Sequence, residues 1–328
     1  MQTPHLNFDR RWKSSNLTMK KIVILLFFFS KFVFAQADFP IDTSYTVKSV
    51  YDKVRKEYPN VSLVQPRKYE NVREKKEVVY KKINNRKLHL DAYYNTFNKR
   101  NPTVVILHGG GWKSGNKSQM ETFAIELASK GYSCFTIEFR LSPEAIYPAA
   151  IFDVKKAIQY LRKNATKFNV NPNKIAVLGC SSGGQMAALL GTTNGNTNFE
   201  DDDTNNKTRS NVQAIINIDG ILAFKHPEST EGKVAGLWLG GSYEEKPTVW
   251  QQASPLNHTN KNTAPVLFIN SSIPRFQAGR NDMIEIMNKY TIYNEVQTIQ
   301  NSPHSFWFLN PWFDETISYT TQFLDKVF

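Results

Sequence analysis

From about Val72 onward, short apolar runs of strand length alternate with stretches of helical period. The segments 72–83 and 86–94 mix apolar and charged positions as half-exposed strands do. PTVVIL (102–107) is a continuous apolar run, the pattern of a strand covered on both faces. In SQMETFAIELASKG, Met120, Phe123, Ala124 and Leu127 share one helical face and Gly131 marks the stop. YSCFTIEFR (132–140) gives the next strand, and Pro148 opens a helix with Ile151, Val154, Ile158 and Leu161 on one face. KIAVLG (174–179) is a further buried strand, followed by a helix of small residues over 182–191. VQAIINID (212–219), APVLFIN (264–270) and NEVQTIQ (294–300) complete the strands, and a last helix runs from about Phe313 to Val327. Strands separated by helices pair in parallel through right-handed crossovers, with helices on both faces of the sheet. The pattern therefore predicts one α/β domain over 72–328. Residues 38–71 are polar without clear period and are expected to lead into it over the surface; no internal repeat is present.

The first 37 residues follow a different logic. Lys20-Lys21, the apolar run Ile22 to Ser30, then KFVF and Ala35-Gln36-Ala37 form the basic, apolar and small-residue regions of an export signal. The apolar run is short of the ~20 residues a membrane span needs, and Lys31 interrupts it. Cleavage near Ala37 is expected, giving an exported chain, periplasmic or secreted, with no stable membrane anchor. Met19 before the two lysines has the look of a natural start, which would make residues 1–18 an upstream extension.

Charge changes the picture little. The chain of 328 residues carries 41 Lys+Arg against 29 Asp+Glu, a formal +12. Removing 1–37 takes away six basic and one acidic side chain, leaving 35 against 28, or +7. Nine basic and three acidic residues lie between Arg67 and Lys87, but on strand-like segments whose outward positions are solvated. No nucleic-acid motif accompanies them, so no nucleic-acid partner is expected. The Asn/Asp-rich stretch 192–210 is expected as an exposed loop; its acidic run Glu200 to Asp203 could hold a cation, though a solvated loop is the plainer reading. Cys134 and Cys180 sit in apolar strand-end contexts and are expected as buried hydrophobes rather than a disulfide framework.

The candidate chemistry begins at KIAVLGCSSGG (174–184), where the frame G-x-S-x-G selects Ser181, flanked by Gly179 and Gly183. A nucleophile on a strand-to-helix elbow occupies strained backbone, so its neighbours must be small. The hydroxyl also lies at a helix N-terminus, which favours developing negative charge. One strand–helix–strand unit earlier, His108-Gly109-Gly110-Gly111-Trp112 follows a predicted strand. Glycines there leave backbone N–H groups free to face a cleft and, with the N–H of Ser182, to form an oxyanion hole. Of six histidines, His5 falls within the signal region, His89 in an early strand and His108 in the glycine motif. His226 and His258 lie between two core strands, as surface or cap residues would. His304 alone, in NSPHSFWF, falls in a loop between the final strand and the final helix.

HGGGW, together with FRLSPEAIYPAAIFDVKKAIQYLRKNATKFNVNPNKIAVLGCSSGG, resembles the α/β-hydrolase superfamily. Within it the chain is similar to the hormone-sensitive-lipase-like and bacterial feruloyl- and acetyl-esterase-like carbohydrate esterases, from about Val72 to the C-terminus. The resemblance implies a mostly parallel eight-stranded sheet, no metal or other cofactor, and ester hydrolysis through an acyl-enzyme. It maps Ser181 as nucleophile, Gly109, Gly110 and Ser182 as the hole, and His304 as base.

The chain departs from that family at the acid. The usual position, a loop after the penultimate strand, is here Ser271 to Asn281 and holds no carboxylate. Asp219, ending IINID one strand earlier, is the favoured substitute, because the carboxyl edge of such a sheet is where sites assemble. Asp282, at the start of the next helix, is the alternative, with helix capping as an equally good explanation for it. Arg275 and Arg280 in the acid-free loop suggest carboxylate recognition, as in a uronic-acid polymer, with structural pairing as the equal alternative. Trp112 and Trp307 are candidates to contact substrate, Trp307 from the aromatic cluster around His304 by stacking on a sugar face. The expected function is an exported serine esterase removing acetyl or other small acyl groups from polysaccharide or oligosaccharide. A broad short-chain carboxylesterase or lipase is the alternative, and a non-catalytic hydrolase-like binding protein stands behind both.

Overall fold

A computed structural model describes residues 42–200 and 208–328, within a compact unit spanning Phe39–Phe328. The expected export signal lies outside the described residues, as do positions 201–203 of the acidic run. The strands are β1 (Ser62–Leu63), β2 (Val72–Ile83), β3 (Arg86–Asn95), β4 (Asn101–Leu107), β5 (Ser133–Ile137), β6 (Val170–Cys180), β7 (Ala214–Ile218), β8 (Val266–Asn270), β9 (Asn294–Thr298) and β10 (Leu309–Asn310). The helices are α1 (Val47–Val54), α2 (Glu121–Ser129), α3 (Ala149–Lys163), α4 (Ser182–Thr192), α5 (Gly232–Leu239), α6 (Pro247–Gln252), α7 (Arg280–Lys289) and α8 (Trp312–Val327).

Eight strands form one sheet in the order β2-β3-β5-β4-β6-β7-β8-β9. β2 with β3 and β3 with β5 run antiparallel; every pairing from β5 to β9 is parallel. This is the α/β-hydrolase architecture. The continuous apolar runs expected at its centre arise because successive side chains face opposite layers. Val104, Ile106, Ala176, Leu178, Ile216 and Leu267 join the layer containing α2 and α8. Val105, Leu107, Ile175, Val177, Ile215 and Phe268 join the layer with α3 and α4. Each of these Val, Leu, Ile and Phe side chains, fully buried, contributes roughly 1.5–3 kcal/mol. The edge strand β2 is solvated along much of its length, so its lysines need no ligand. Both cysteines are buried and unbonded, and burial raises both thiols well above the ordinary range.

The polar segment before β2 contains α1, closed at its N-terminus by a reciprocal Thr46–Ser49 capping box and burying Val50 and Val54. β1 pairs antiparallel with β10, Leu63 opposite Leu309, tying this segment to the chain just after His304. Between β7 and β8 the chain also inserts α5 and α6, which bury Trp238 and Trp250. Among the described residues no helix is long and apolar enough to cross a membrane.

Candidate active site

β6 ends at Cys180 and α4 begins at Ser182, leaving Ser181 between them at φ 54° and ψ −122°. Such backbone costs a non-glycine residue roughly 1–3 kcal/mol and persists only where the surroundings impose it. Here they do. The Ser181 N–H donates to the Ile218 carbonyl at 2.8 Å, and the Gln185 N–H donates to the Ser181 carbonyl at 3.1 Å. The flanking glycines are steric requirements: a Cβ on Gly179 would lie 2.0 Å from the Gly183 carbonyl oxygen. One on Gly183 would lie 2.5 Å from the carbonyl oxygens of Leu107 and His108. The elbow thus forces strand, helix and the β4 end together, and raises the Ser181 side chain above them.

His304 Nε2 lies 2.9 Å from Ser181 Oγ, and His304 Nδ1 lies 2.9 Å from Asp219 Oδ2. Asp219 is wholly buried, and its second oxygen accepts from the Ser271 N–H at 2.7 Å. Just before it, the Asn217 side chain accepts from the Gly220 N–H and donates to the Gly184 carbonyl, fixing the turn that delivers the carboxylate. Asp282 is elsewhere: half exposed, it pairs with His226 at 3.0 Å. Of the two candidate acids, the structure brings Asp219 to His304.

At the β4 end, His108 is buried, stacks on Phe139 with ring centroids 4.5 Å apart, and donates from Nδ1 to the Gly109 carbonyl at 2.8 Å. Burial pushes its pKa down to about 4, so the ring is neutral near pH 7 and anchors the glycine loop without adding charge. Gly109 runs directly beside Ser181: a Cβ there would sit 3.1 Å from Ser181 Cβ. Gly110 and Gly111 hold φ of 128° and 60°. Ser182 opens α4, where N–H groups have no partner within the helix. Gly109 and Ser182 therefore flank Ser181, and Gly110 follows Gly109 in the same loop.

A cleft of about 30 Å³ lies over Ser181 and Ser182, walled by Trp112, Ile221, Glu231 and Phe276. Trp112 is fixed by a hydrogen bond from its Nε1 to Gln185 Oε1 at 2.9 Å and by stacking on Trp238. Trp307 has a different place from the one expected. It is 1% exposed and meets the His304 ring edge-on at 5.2 Å, so it backs the histidine and offers no open face. Both arginines already have partners. Arg275 pairs with Glu231 at 3.0 Å, and Arg280 donates to Asn270 Oδ1 at 2.8 Å while burial lowers its pKa.

Two residues at the site gave no usable sign in the sequence. Phe276 stacks on the His304 ring, centroids 3.6 Å apart and planes 11° off parallel, with the Arg275 guanidinium 4.1 Å from its centroid. Its only hint was an aromatic residue between two arginines in the loop that lacks the usual acid. Tyr45 comes from the lead-in segment, its main chain held by Ser114 Oγ and its hydroxyl 2.9 Å from Ser305 Oγ, next to His304. Nothing about a tyrosine in a polar stretch marks it.

The BD-FAE family matches residues 90–274, more than half of the chain. The chain is 30% identical over 178 residues to esterase LipC of Mycobacterium tuberculosis, covering 52% of this chain and 44% of that protein. It is 26% identical over 206 residues to the probable carboxylic ester hydrolase LipM of the same organism, covering 62% and 46%. The chain thus spans about half the length of the curated relatives it matches. Among solved structures, a truncated carbohydrate esterase from gut microbiota superposes with a TM-score of 0.65 at 25% identity, covering 78% of this chain and 98% of that one. The apo form of Thermogutta terrifontis esterase 2 gives 0.65 at 22% identity over 81% and 98%, a likeness of fold.

Proposed function

The chain belongs to the BD-FAE family of α/β hydrolases, and from that premise we propose that it is a serine esterase releasing acetyl groups from carbohydrate. The observation that carries this reading is the unbroken relay Asp219–His304–Ser181, with both contacts at 2.9 Å. In this mechanism His304 Nε2 takes the proton of Ser181 Oγ as it attacks the ester carbonyl. Asp219 holds the ring in the tautomer that leaves Nε2 basic, and stabilises the imidazolium that forms. Backbone N–H groups of Gly109, Gly110 and Ser182 receive the oxyanion, each donor contributing roughly 3–4 kcal/mol. The imidazolium then protonates the leaving alcohol, and water repeats the sequence to free the acid.

The small space over Ser181, about 30 Å³ and walled by Trp112, Ile221 and Phe276, favours a short acyl group. The carbohydrate half of the proposal draws on the esterase from gut microbiota that shares the fold, and export on the N-terminal pattern. A broad short-chain carboxylesterase is the second reading, favoured by the names of LipC and LipM. The binding-protein alternative rested on the missing acid in the 271–281 loop, and Asp219 at 2.9 Å from His304 removes that support.

Turnover of p-nitrophenyl acetate is the first test. Ser181→Ala should lower kcat by at least about 10⁴-fold; no hydrolysis of any short ester by the wild type would overturn the esterase reading. Acetate release from acetylated xylan and pectin, measured beside model esters, then separates carbohydrate esterase from general carboxylesterase.

A further inference from the structure

We propose that Tyr45 is a positioning residue of the relay, and that the segment around it, residues 42–45, ties the glycine loop after β4 to the loop that carries His304. The proposal rests on the esterase reading for what is being positioned, but the tie itself can be tested without turnover.

The need for a tie comes from the topology. In the sheet β4 and β9 are separated by β6, β7 and β8, so the loops that follow them start from distant strand ends. The first places Gly109 beside Ser181, and the second brings His304 Nε2 to 2.9 Å from Ser181 Oγ. Asp219, Phe276 and Trp307 all act on the imidazole ring of His304. The main chain that carries the ring needs support of its own. It turns through Ser305 at φ 72°, a left-handed conformation that a serine keeps only where its surroundings impose it.

Tyr45 meets that turn. Its hydroxyl lies 2.9 Å from Ser305 Oγ, and Ser305 is buried, so losing the contact would leave a buried hydroxyl short of a partner. The Tyr45 ring leans on Phe308, three residues further along, with centroids 6.5 Å apart. The same hydroxyl also stands beside the glycine loop: a Cβ on Gly109 would lie 3.6 Å from the Tyr45 oxygen and 3.1 Å from Ser181 Cβ. The backbone around Tyr45 is stitched to the rest of that loop. Ser114 Oγ accepts from the Tyr45 N–H at 3.0 Å and donates to the Asp42 carbonyl at 2.7 Å. Gln119 Nε2 donates to the Tyr45 carbonyl at 3.0 Å, and Lys113 pairs with Asp42 at 2.7 Å. Ser114 in turn closes the glycine loop on itself, its N–H donating to the Gly110 carbonyl at 3.1 Å. One short segment therefore grips the glycine loop with its main chain and the histidine loop with a phenol. Displacing reacting groups by ~1 Å can cost about a hundredfold in rate. A tie between these two loops thus acts on the chemical step rather than on substrate affinity.

Tyr45→Phe keeps the ring and removes the hydroxyl. On p-nitrophenyl acetate it should lower kcat by about tenfold while KM stays within about twofold. Ser305→Ala cuts the same contact from its other partner and should give a similar loss, and the double variant should be no slower than either single one. Ser114→Ala, which releases the segment from the glycine loop, should lower kcat severalfold. Thermal unfolding shows that each variant is folded at the assay temperature; if Tyr45→Phe is not, Ser305→Ala and Ser114→Ala decide. Unchanged kcat in Tyr45→Phe or Ser305→Ala, a loss carried by KM, or additive losses in the double variant overturns the proposal. Unchanged kcat in Ser114→Ala overturns the tie to the glycine loop. Each of these outcomes leaves the esterase reading intact. If the wild type hydrolyses no short ester, that reading fails instead, and the tie is judged by proton NMR of the His304 Nδ1–H bonded to Asp219, identified by its loss in His304→Gln. A sharp resonance in the wild type, broadened by solvent exchange in Tyr45→Phe and Ser305→Ala, supports the proposal; the same resonance, or none, in all three ends it.

Discussion

β7 and β8 are neighbours in parallel register, Ile218 opposite Ile269, yet their carboxyl ends contribute to the site in different ways. β7 turns at once into Asp219, at φ 49°, and sends a buried carboxylate to His304. β8 runs into a longer loop without a carboxylate, whose Ser271 N–H binds Asp219 and whose Phe276 ring lies flat on His304. One end supplies the charge; the other supplies a hydrogen bond to that charge and a plate against the imidazole. The difference teaches that an acid's place is defined by its reach to Nδ1 and by the groups that hold it there. The strand that carries it is secondary, and an adjacent strand end freed from that duty can take up orientation.

The comparison breaks most sharply at Asp219. Asp219→Asn keeps the shape but presents an amide to Nδ1, which disfavours the productive tautomer, so kcat should fall by about 10⁴-fold. Steady-state kinetics on p-nitrophenyl acetate measures it, and a loss below tenfold would mean the β7 end does not supply the acid.

How much of this was legible follows from what each residue needed in order to be recognised. The parallel core strands, the elbow glycines and His304 could be read because their constraints are local: covered strands must be apolar, and the elbow excludes any side chain at Gly179 and Gly183. α5 could not be read, since Gly232 and Gly236 interrupt its eight residues and Leu237 is exposed. α1 was missed because it too is only eight residues long and buries just Val50 and Val54. Phe276 and Trp307 look alike in sequence; only the folded chain lays one on the histidine's face and sets the other at its edge. The groups that hold Arg275 and Arg280, Glu231 and Asn270, likewise come together only in the fold.

A third strand end sharpens the contrast, because β4 supplies the site with a histidine that is kept uncharged. The folded pKa of His108 is about 4 against an ordinary 6.5, burial being the largest cause. Protons therefore bind the unfolded chain first as pH falls through 6.5, and the folded state loses stability from there toward pH 4. The loss should reach about 2 kcal/mol by pH 5. Thermal unfolding between pH 7 and 5 should show this decline in the wild type and a flatter response in His108→Gln; equal slopes would remove His108 as its source.

The β8 contribution should be smaller than that of Asp219 and of a different kind. An aromatic stack is worth roughly 0.5–1.5 kcal/mol beyond its buried area, so Phe276→Ala should lower kcat by about tenfold. KM for p-nitrophenyl acetate should change less than kcat, since the plate acts on the histidine. Phe276→Tyr should restore most of the rate. If tyrosine fails to rescue, or KM carries the whole loss, Phe276 serves the cleft wall rather than the base.

The smallest effect is expected at Asp282, and it is informative for that reason. Asp282 stands ten residues nearer His304 in sequence than Ser272 does, and it follows the loop where the family's acid usually lies. Yet its carboxylate is on the outer side of α7's first turn, half exposed and paired with His226. Exposed pairs of this kind contribute about 0–1 kcal/mol. Asp282→Asn should therefore leave kcat within about twofold of the wild type and shift unfolding by no more than that small amount. A loss of activity comparable to that of Asp219→Asn would mean that the β8 side delivers charge to the relay after all. The division of labour between the two strand ends would then have to be redrawn.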